Sequence, residues 1–298
     1  MSRLIVWDAP RSEVARLVKT RVREKKVSSS KLRFVSQNWG KTRLSVYITR
    51  EDGSSRVTFP VALDPKHDRI LIGPFLEAPE GSKRSPLRKE DLEYALGERL
   101  VLTTCIQYFL HSTHRELLLN PALFPGGSIT IQSPSLQREI LIQSGFSLPR
   151  AIVTNDSRSI VKNFGSYIQM EFLGMDIPTM EDSPYQPLGE PYLPRRLLKL
   201  GKRQQLSVVT VIADKVYEVP WIKDVDVHKR PRRVSLNSEL YRMATNAAKI
   251  ADTQVCEIII LRRGHTLLGL CMARTLGALN LPQSLPYLID TLIRQYTS

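Results

Sequence analysis

The apolar positions change period several times along the chain, and each change marks an element. Arg3 to Trp7 is a short apolar run that predicts a buried opening strand. Behind it, Val14, Leu17, Val18 and Val22 recur at helical spacing after Ser12, which predicts a Ser12-capped helix with one apolar and one basic side. Residues 43–49 and 56–63 are β-rich and flank Glu51-Asp52-Gly53, a hairpin signal. Residues 69–73 predict a further strand, and 79–89, rich in Pro, Gly, Ser and Lys/Arg, predict a loop. Leu92, Leu96, Leu100, Thr103, Ile106 and Leu110 predict a long helix over about 90–113.

After the break at 121–127, the pattern predicts a helix near 134–144, a strand near 150–154, a short helix at 158–164 and a strand at 166–172. Residues 174–194 carry five prolines and two glycines and predict a linker or lid. Strands follow at 206–213 and 216–221. A helix near 236–251 places Leu236, Leu240, Met243, Ala247 and Ile250 on one face. Strands near 256–261 and 266–271 flank Arg262-Arg263-Gly264, and Ser284 is predicted to cap a last helix carrying Leu285, Leu288, Ile289, Leu292 and Ile293. Interspersed helices and strands with frequent hairpins predict an α+β fold with mixed and antiparallel sheets.

Composition adds one unusual fact. Lys+Arg 43 against Asp+Glu 29 gives a formal net charge of +14. Such a surplus favours anionic partners. The charge falls in three blocks: Arg16 to Arg33, with Arg21, Arg23, Lys25 and Lys26 at its centre; Arg195, Arg196, Lys199, Lys202 and Arg203; and Lys229, Arg230, Arg232 and Arg233. The ordinary reading of each block is a solvated face; the functional one is an anion or nucleic-acid surface. Three cysteines, Cys105, Cys256 and Cys271, show no CxxC spacing and read as free thiols. No apolar run approaches the roughly 20 residues of a membrane span. The expectation is a cytoplasmic protein without a membrane partner.

Three segments together resemble a known family. Asn120-Pro121 is followed by Ser133-Pro134-Ser135-Leu136-Gln137, and then by Gly145 to Asp156. These are similar to the entry of the ATP-grasp fold, in the branch of ribosomal-protein glutamate ligases and ribosomal peptide maturases. Leu206 to Val219, the helix at 236–251 and the final strand pair follow in the family's order. The resemblance covers roughly residues 115–295. It implies a pre-grasp-like α/β domain over 1–115 and an ATP-grasp-like domain over 116–298.

The same resemblance implies a chemistry, and the site residues depart from it. An ATP-grasp ligase activates a carboxylate as an acyl phosphate, which an amine or hydroxyl attacks. That needs cations on the phosphates and hard oxygen ligands on magnesium. The family's first lysine falls at Ser133, its second at Gln169 or Met170, and its arginine at Ser207. Glu257 matches the first magnesium carboxylate, while the closing Glu-x-Asn pair falls at Gly269 and Cys271. Four losses within one functional set imply abandoned phosphoryl transfer, since one preorganised charge partner is worth about 2.7–4 kcal/mol of barrier.

Other constellations yield less. Gly40-Lys41-Thr42 lacks the glycine a P-loop needs, because Val35 stands there. His111, His114 and Glu116 read as a helix-end surface, and Asp64, His67 and Asp68 as a plain turn. Cys271 lies in an apolar strand, where cysteine is usually inert packing. Trp7, Trp39 and Trp221 are scattered and suggest no stacking platform.

Three functional readings follow. The first is a degenerate ATP-grasp protein that binds a peptide or partners an active enzyme and needs no cofactor, with homodimerisation implied by the resemblance. The second is a working carboxylate–amine or ester-forming peptide ligase using ATP and Mg2+, with Glu257 on the metal and Lys162, Arg195, Arg196 or Lys199 on phosphate. The third is a nucleic-acid-binding protein using the basic blocks.

Overall fold

The computed structural model of the chain describes residues 2–8, 12–24, 26–36, 45–48, 55–58, 61–73, 90–91, 94, 110–111, 115–120, 134–148, 151–154, 167–168, 170–172, 183–184, 195–198, 205–221, 230–277 and 283–297. The opening apolar run forms β1 (Arg3–Asp8). It lies between β2 (Leu32–Ser36) and β5 (Asp68–Ile72), both parallel to it. A strand buried on both faces needs a continuous apolar stretch, and Leu4, Ile5, Val6 and Trp7 are fully buried. α1 (Glu13–Arg23) begins where the sequence places it, with the Ser12 side chain accepting the Ala15 amide. The hairpin predicted around residues 51–53 forms as β3 (Ser45–Ile48) and β4 (Ser55–Thr58). Of the predicted helix at 90–113, helical conformation is described only at residues 90–91, 94 and 110–111.

The predicted helix at 134–144 is α2 (Pro134–Gln143). A small antiparallel sheet follows: β10 (Arg195–Leu198) lies between β6 (Ala151–Thr154) and β8 (Met170–Phe172). The predicted strand at 166–172 is two strands, because β7 (Tyr167–Ile168) pairs instead with β9 (Ser183–Pro184). Within the predicted linker, Ser183–Pro184 is therefore strand; the predicted helix at 158–164 lies outside the described residues.

The largest sheet has the order β13-β12-β11-β14-β15, all antiparallel: β11 (Gln205–Ile212), β12 (Lys215–Trp221), β13 (Arg232–Arg233), β14 (Val255–Arg263) and β15 (Thr266–Ala273). One face is covered by α2 and by α3 (Glu239–Ile250), which pack on Val209, Val211, Cys256, Ile258 and Ile260. α3 starts later than the apolar pattern suggests. Ser238 caps it through the Tyr241 amide, which leaves Leu236 in the preceding turn, 59% exposed. On the opposite face, Ile212, Tyr217 and Val255 join one core with β1, α1 and α4 (Leu285–Thr297). Elements from both ends of the chain thus share one apolar interior. Among the described residues, no helix is long and apolar enough to cross a membrane.

Candidate functional site

Strand pairing decides which residues stand beside Glu257. Glu257 is paired with Thr210 of β11 on one side and Ala273 of β15 on the other. Directly paired strand residues share a face, so Thr210, Glu257 and Ala273 form one row. Two residues along, Val208, Ile259 and Cys271 form the next. A register shift between Ile259 and Ile260 then changes the pairing, and Gly269 falls opposite Ile260 on the helix-covered face.

This geometry separates the two positions of the expected closing pair. Cys271 lies on Glu257's face one row along, whereas Gly269 lies on the helix-covered face; Ala273 is paired with Glu257 directly. Gly269 has a packing role: a Cβ there would sit 3.1 Å from Leu141 and 3.2 Å from Phe146. A large acidic side chain at 269 would displace α2. Ser207 also lies away from Glu257's face. It pairs with Ile260 and Pro220 on the helix-covered face, and its neighbours on Glu257's face are Leu206 and Val208.

Glu257 is fully buried. Its Oε1 accepts the Gly277 backbone N–H at 2.6 Å. Gly277 has φ +85°, and a Cβ there would lie 2.6 Å from Val14 of α1. A left-handed backbone under a closely approaching helix requires glycine, so the amide is fixed by the fold. The carboxylate therefore anchors the segment that leaves β15. Nearby, Arg274 is 1% exposed, with Nη2 donating to the Asp252 carbonyl at 3.3 Å. Burial lowers its pKa to about 10. Burial also pushes the Cys256 thiol well above its ordinary value, so this cysteine is inert.

The described residues beside Glu257 do not make a magnesium site. Mg2+ asks for near-octahedral oxygen ligands. The positions paired with Glu257 supply a hydroxyl and methyl groups, the next row adds the Cys271 thiol, and one carboxylate oxygen already holds an amide. Among the described residues, no group of three His, Cys, Asp or Glu side chains is placed to hold a metal ion. His67 Nδ1 lies 2.9 Å from Asp64 Oδ2, and Asp68 is tied to Arg3, as a structural turn requires.

The phosphate-side candidates are less fully described. Arg195 and Arg196 fall on β10, the central strand of the small sheet. Lys162 and Lys199 lie outside the described residues, as do Ser133, Gln169, Lys25 and Lys229.

Among the described residues, several cations of the basic blocks are engaged within the protein. Arg21 of α1 reaches α4, where its guanidinium grips Asp290 through bonds of 2.6 and 3.0 Å. That hydrogen bonding raises its pKa above the ordinary value. Lys26 pairs with Glu24 at 2.9 Å, Arg16 pairs with Glu13, and Lys19 stands over the Phe34 ring. Arg230 of the third block stacks on Tyr287 of α4 at 4.8 Å, so two blocks meet the same helix, three residues apart. Arg23, Arg232 and Arg233 are exposed. Sequence patterning missed Gly277, Thr210 and Arg274, whose roles depend on strand register and the path after β15.

The comparisons with known proteins agree with this architecture. No family model and no curated protein matches the sequence. Solved structures do match. The ATP-grasp ligase PsnB, complexed with minimal precursor, Mg and ADP, superposes with a TM-score of 0.64 at 16% identity, over 98% of this chain and 97% of its own. The chain has the ATP-grasp fold. Two further ATP-grasp-like neighbours are macrocyclases from Microcystis aeruginosa MRC. MdnC, bound with the precursor peptide MdnA, gives a TM-score of 0.64 at 13% identity over 99% of both chains. MdnB gives 0.61 at 13% identity, over 97% of this chain and 99% of its own.

Proposed function

We propose that this protein is a peptide-binding member of the ATP-grasp fold that no longer carries out phosphoryl transfer, and that it serves as a binding or partner subunit for a peptide or an active enzyme. The observation that carries this reading is the Glu257–Gly277 bond. The carboxylate at the magnesium position is buried and holds a backbone amide, and Cys271 and Ala273 stand where a second carboxylate and an amide would be needed. The near-full-length likeness to ligases solved with precursor peptides supports a peptide as the partner.

The competing reading is a working ATP-dependent peptide ligase with relocated ligands. The presence of Arg195 and Arg196 on the central strand of the small sheet favours it. ADP release from Mg-ATP separates the two. The proposal expects no ADP above the background of a Glu257→Ala control, with or without added peptide. Peptide-stimulated ADP release that falls in an Arg195→Ala/Arg196→Ala variant would establish the ligase instead.

A further inference from the structure

On the helix-covered side of the large sheet, far along β14 from Glu257, lies a separate cleft of about 710 Å³. Its walls are the edge strand β13, the turn between β14 and β15, and the start of α3. We infer that this cleft docks an acidic peptide segment carrying an apolar side chain. The inference rests on the peptide-binding reading above and assigns it a contact surface.

Arg232, Arg233 and Arg262 line the cleft, together with His265, against Glu218 and Glu239. Glu218 is already engaged: Arg262 donates to its two oxygens at 2.7 and 2.8 Å, with a third bond of 3.0 Å from Nε. This pair fixes one guanidinium in the wall. Arg232 and Arg233 are exposed, and among the described residues neither forms an ion pair. Guanidinium groups bind carboxylates through paired N–H donors. Arg232 pairs with Glu218 and shares the cleft's face, whereas Arg233 pairs with Tyr217 and starts from the opposite face, so the cleft offers one free fork, that of Arg232, to an anionic chain.

The apolar lining selects a peptide over a nucleic acid. Leu236 lines the same cleft at 59% exposure, above the buried Leu240 and Leu267. An exposed leucine over an apolar floor gains nothing from phosphate, but it provides a contact for an aliphatic side chain. Among the described residues that line it, none is a Trp, Tyr or Phe on which a base would stack. Its volume lies within the range of clefts that hold small ligands and short segments.

Fluorescence anisotropy with three labelled octapeptides tests the inference: alternating Glu-Leu, alternating Glu-Ser and alternating Lys-Leu. The full-length protein should bind Glu-Leu at least tenfold more tightly than either of the others. Arg232→Glu/Arg233→Glu and, separately, Leu236→Ser should each weaken that binding about tenfold or more, with unchanged circular dichroism and melting temperature. Glu-Leu binding that is unchanged in both variants overturns this site and leaves the peptide-binding reading standing. Failure of all three octapeptides to bind overturns both. Displacement of Glu-Leu by a 20-base-pair duplex, with duplex affinity lost in the Arg232→Glu/Arg233→Glu variant and kept in Leu236→Ser, overturns the site in favour of nucleic acid.

Discussion

The Gly277 backbone N–H donates to Glu257 Oε1 at 2.6 Å. This bond makes the buried Glu257 carboxylate a structural tie between β14 and the segment after β15. Replacing Glu257 by Ala leaves a buried donor without this acceptor, which costs about 1–3 kcal/mol. Glu257→Gln keeps an acceptor oxygen and should recover much of that loss. Denaturant unfolding of the three proteins reads the order wild type, Gln, Ala. Equal stability of all three would contradict the tie.

Gly277 is held at φ +85° beneath Val14. Gly277→Ala adds backbone strain and a steric overlap with α1, at a cost of about 1–3 kcal/mol. Its melting temperature should fall by several degrees. The paired variant Gly277→Ala/Val14→Ala should recover part of the overlap cost. No recovery would place the whole cost in the backbone.

Asn120 is fully buried and makes three bonds: Nδ2 to the carbonyls of Ile72 at 2.7 Å and Arg274 at 2.8 Å, and Oδ1 from the Ile72 amide at 3.0 Å. It therefore joins β5 to the exit of β15. Asn120→Ala is expected to cost about 2–4 kcal/mol, because several buried backbone groups lose a partner together. Asn120→Asp should be nearly as damaging, since it removes both donor bonds. Chemical denaturation measures both, and a change below about 0.5 kcal/mol in either would contradict the role.

Arg21 and Asp290 join α1 to α4 through side chains that are 14% and 43% exposed. Because Asp290 is in contact with solvent, their coupling should be about 1 kcal/mol or less in a double-mutant cycle and should weaken with salt. Arg21→Ala should leave heparin retention almost unchanged, because the guanidinium is already committed to Asp290. A marked loss of retention would return Arg21 to the anion-binding surface.

Much of the fold was legible because its elements follow local rules. Ser12 caps α1 as its position before a 3.6-residue apolar pattern suggests. The continuous apolar run of β1 matches a strand buried on both faces. The misses have physical causes. Leu236 continues the apolar spacing of α3, but Ser238 caps the helix and starts it only at Glu239, and an exposed leucine results. Tyr167 to Phe172 reads as one strand, yet its two halves pair with different partners. In the candidate site, Glu257 was singled out through the resemblance to the family's first magnesium carboxylate. Its neighbours were not, because a bulge at Ile259/Ile260 shifts β15 by one residue, and one residue moves every side chain to the other face. No local pattern marks Gly277 as the partner of Glu257, since that contact depends on where the chain goes after β15.

Calorimetric titration of the full-length protein with Mg-ATP, after removal of any bound nucleic acid, tests the central claim most directly. The account predicts no measurable binding at millimolar nucleotide, and the same trace for Glu257→Ala. Micromolar, magnesium-dependent binding that Glu257→Ala abolishes would show that Glu257 holds the metal, and would contradict the account.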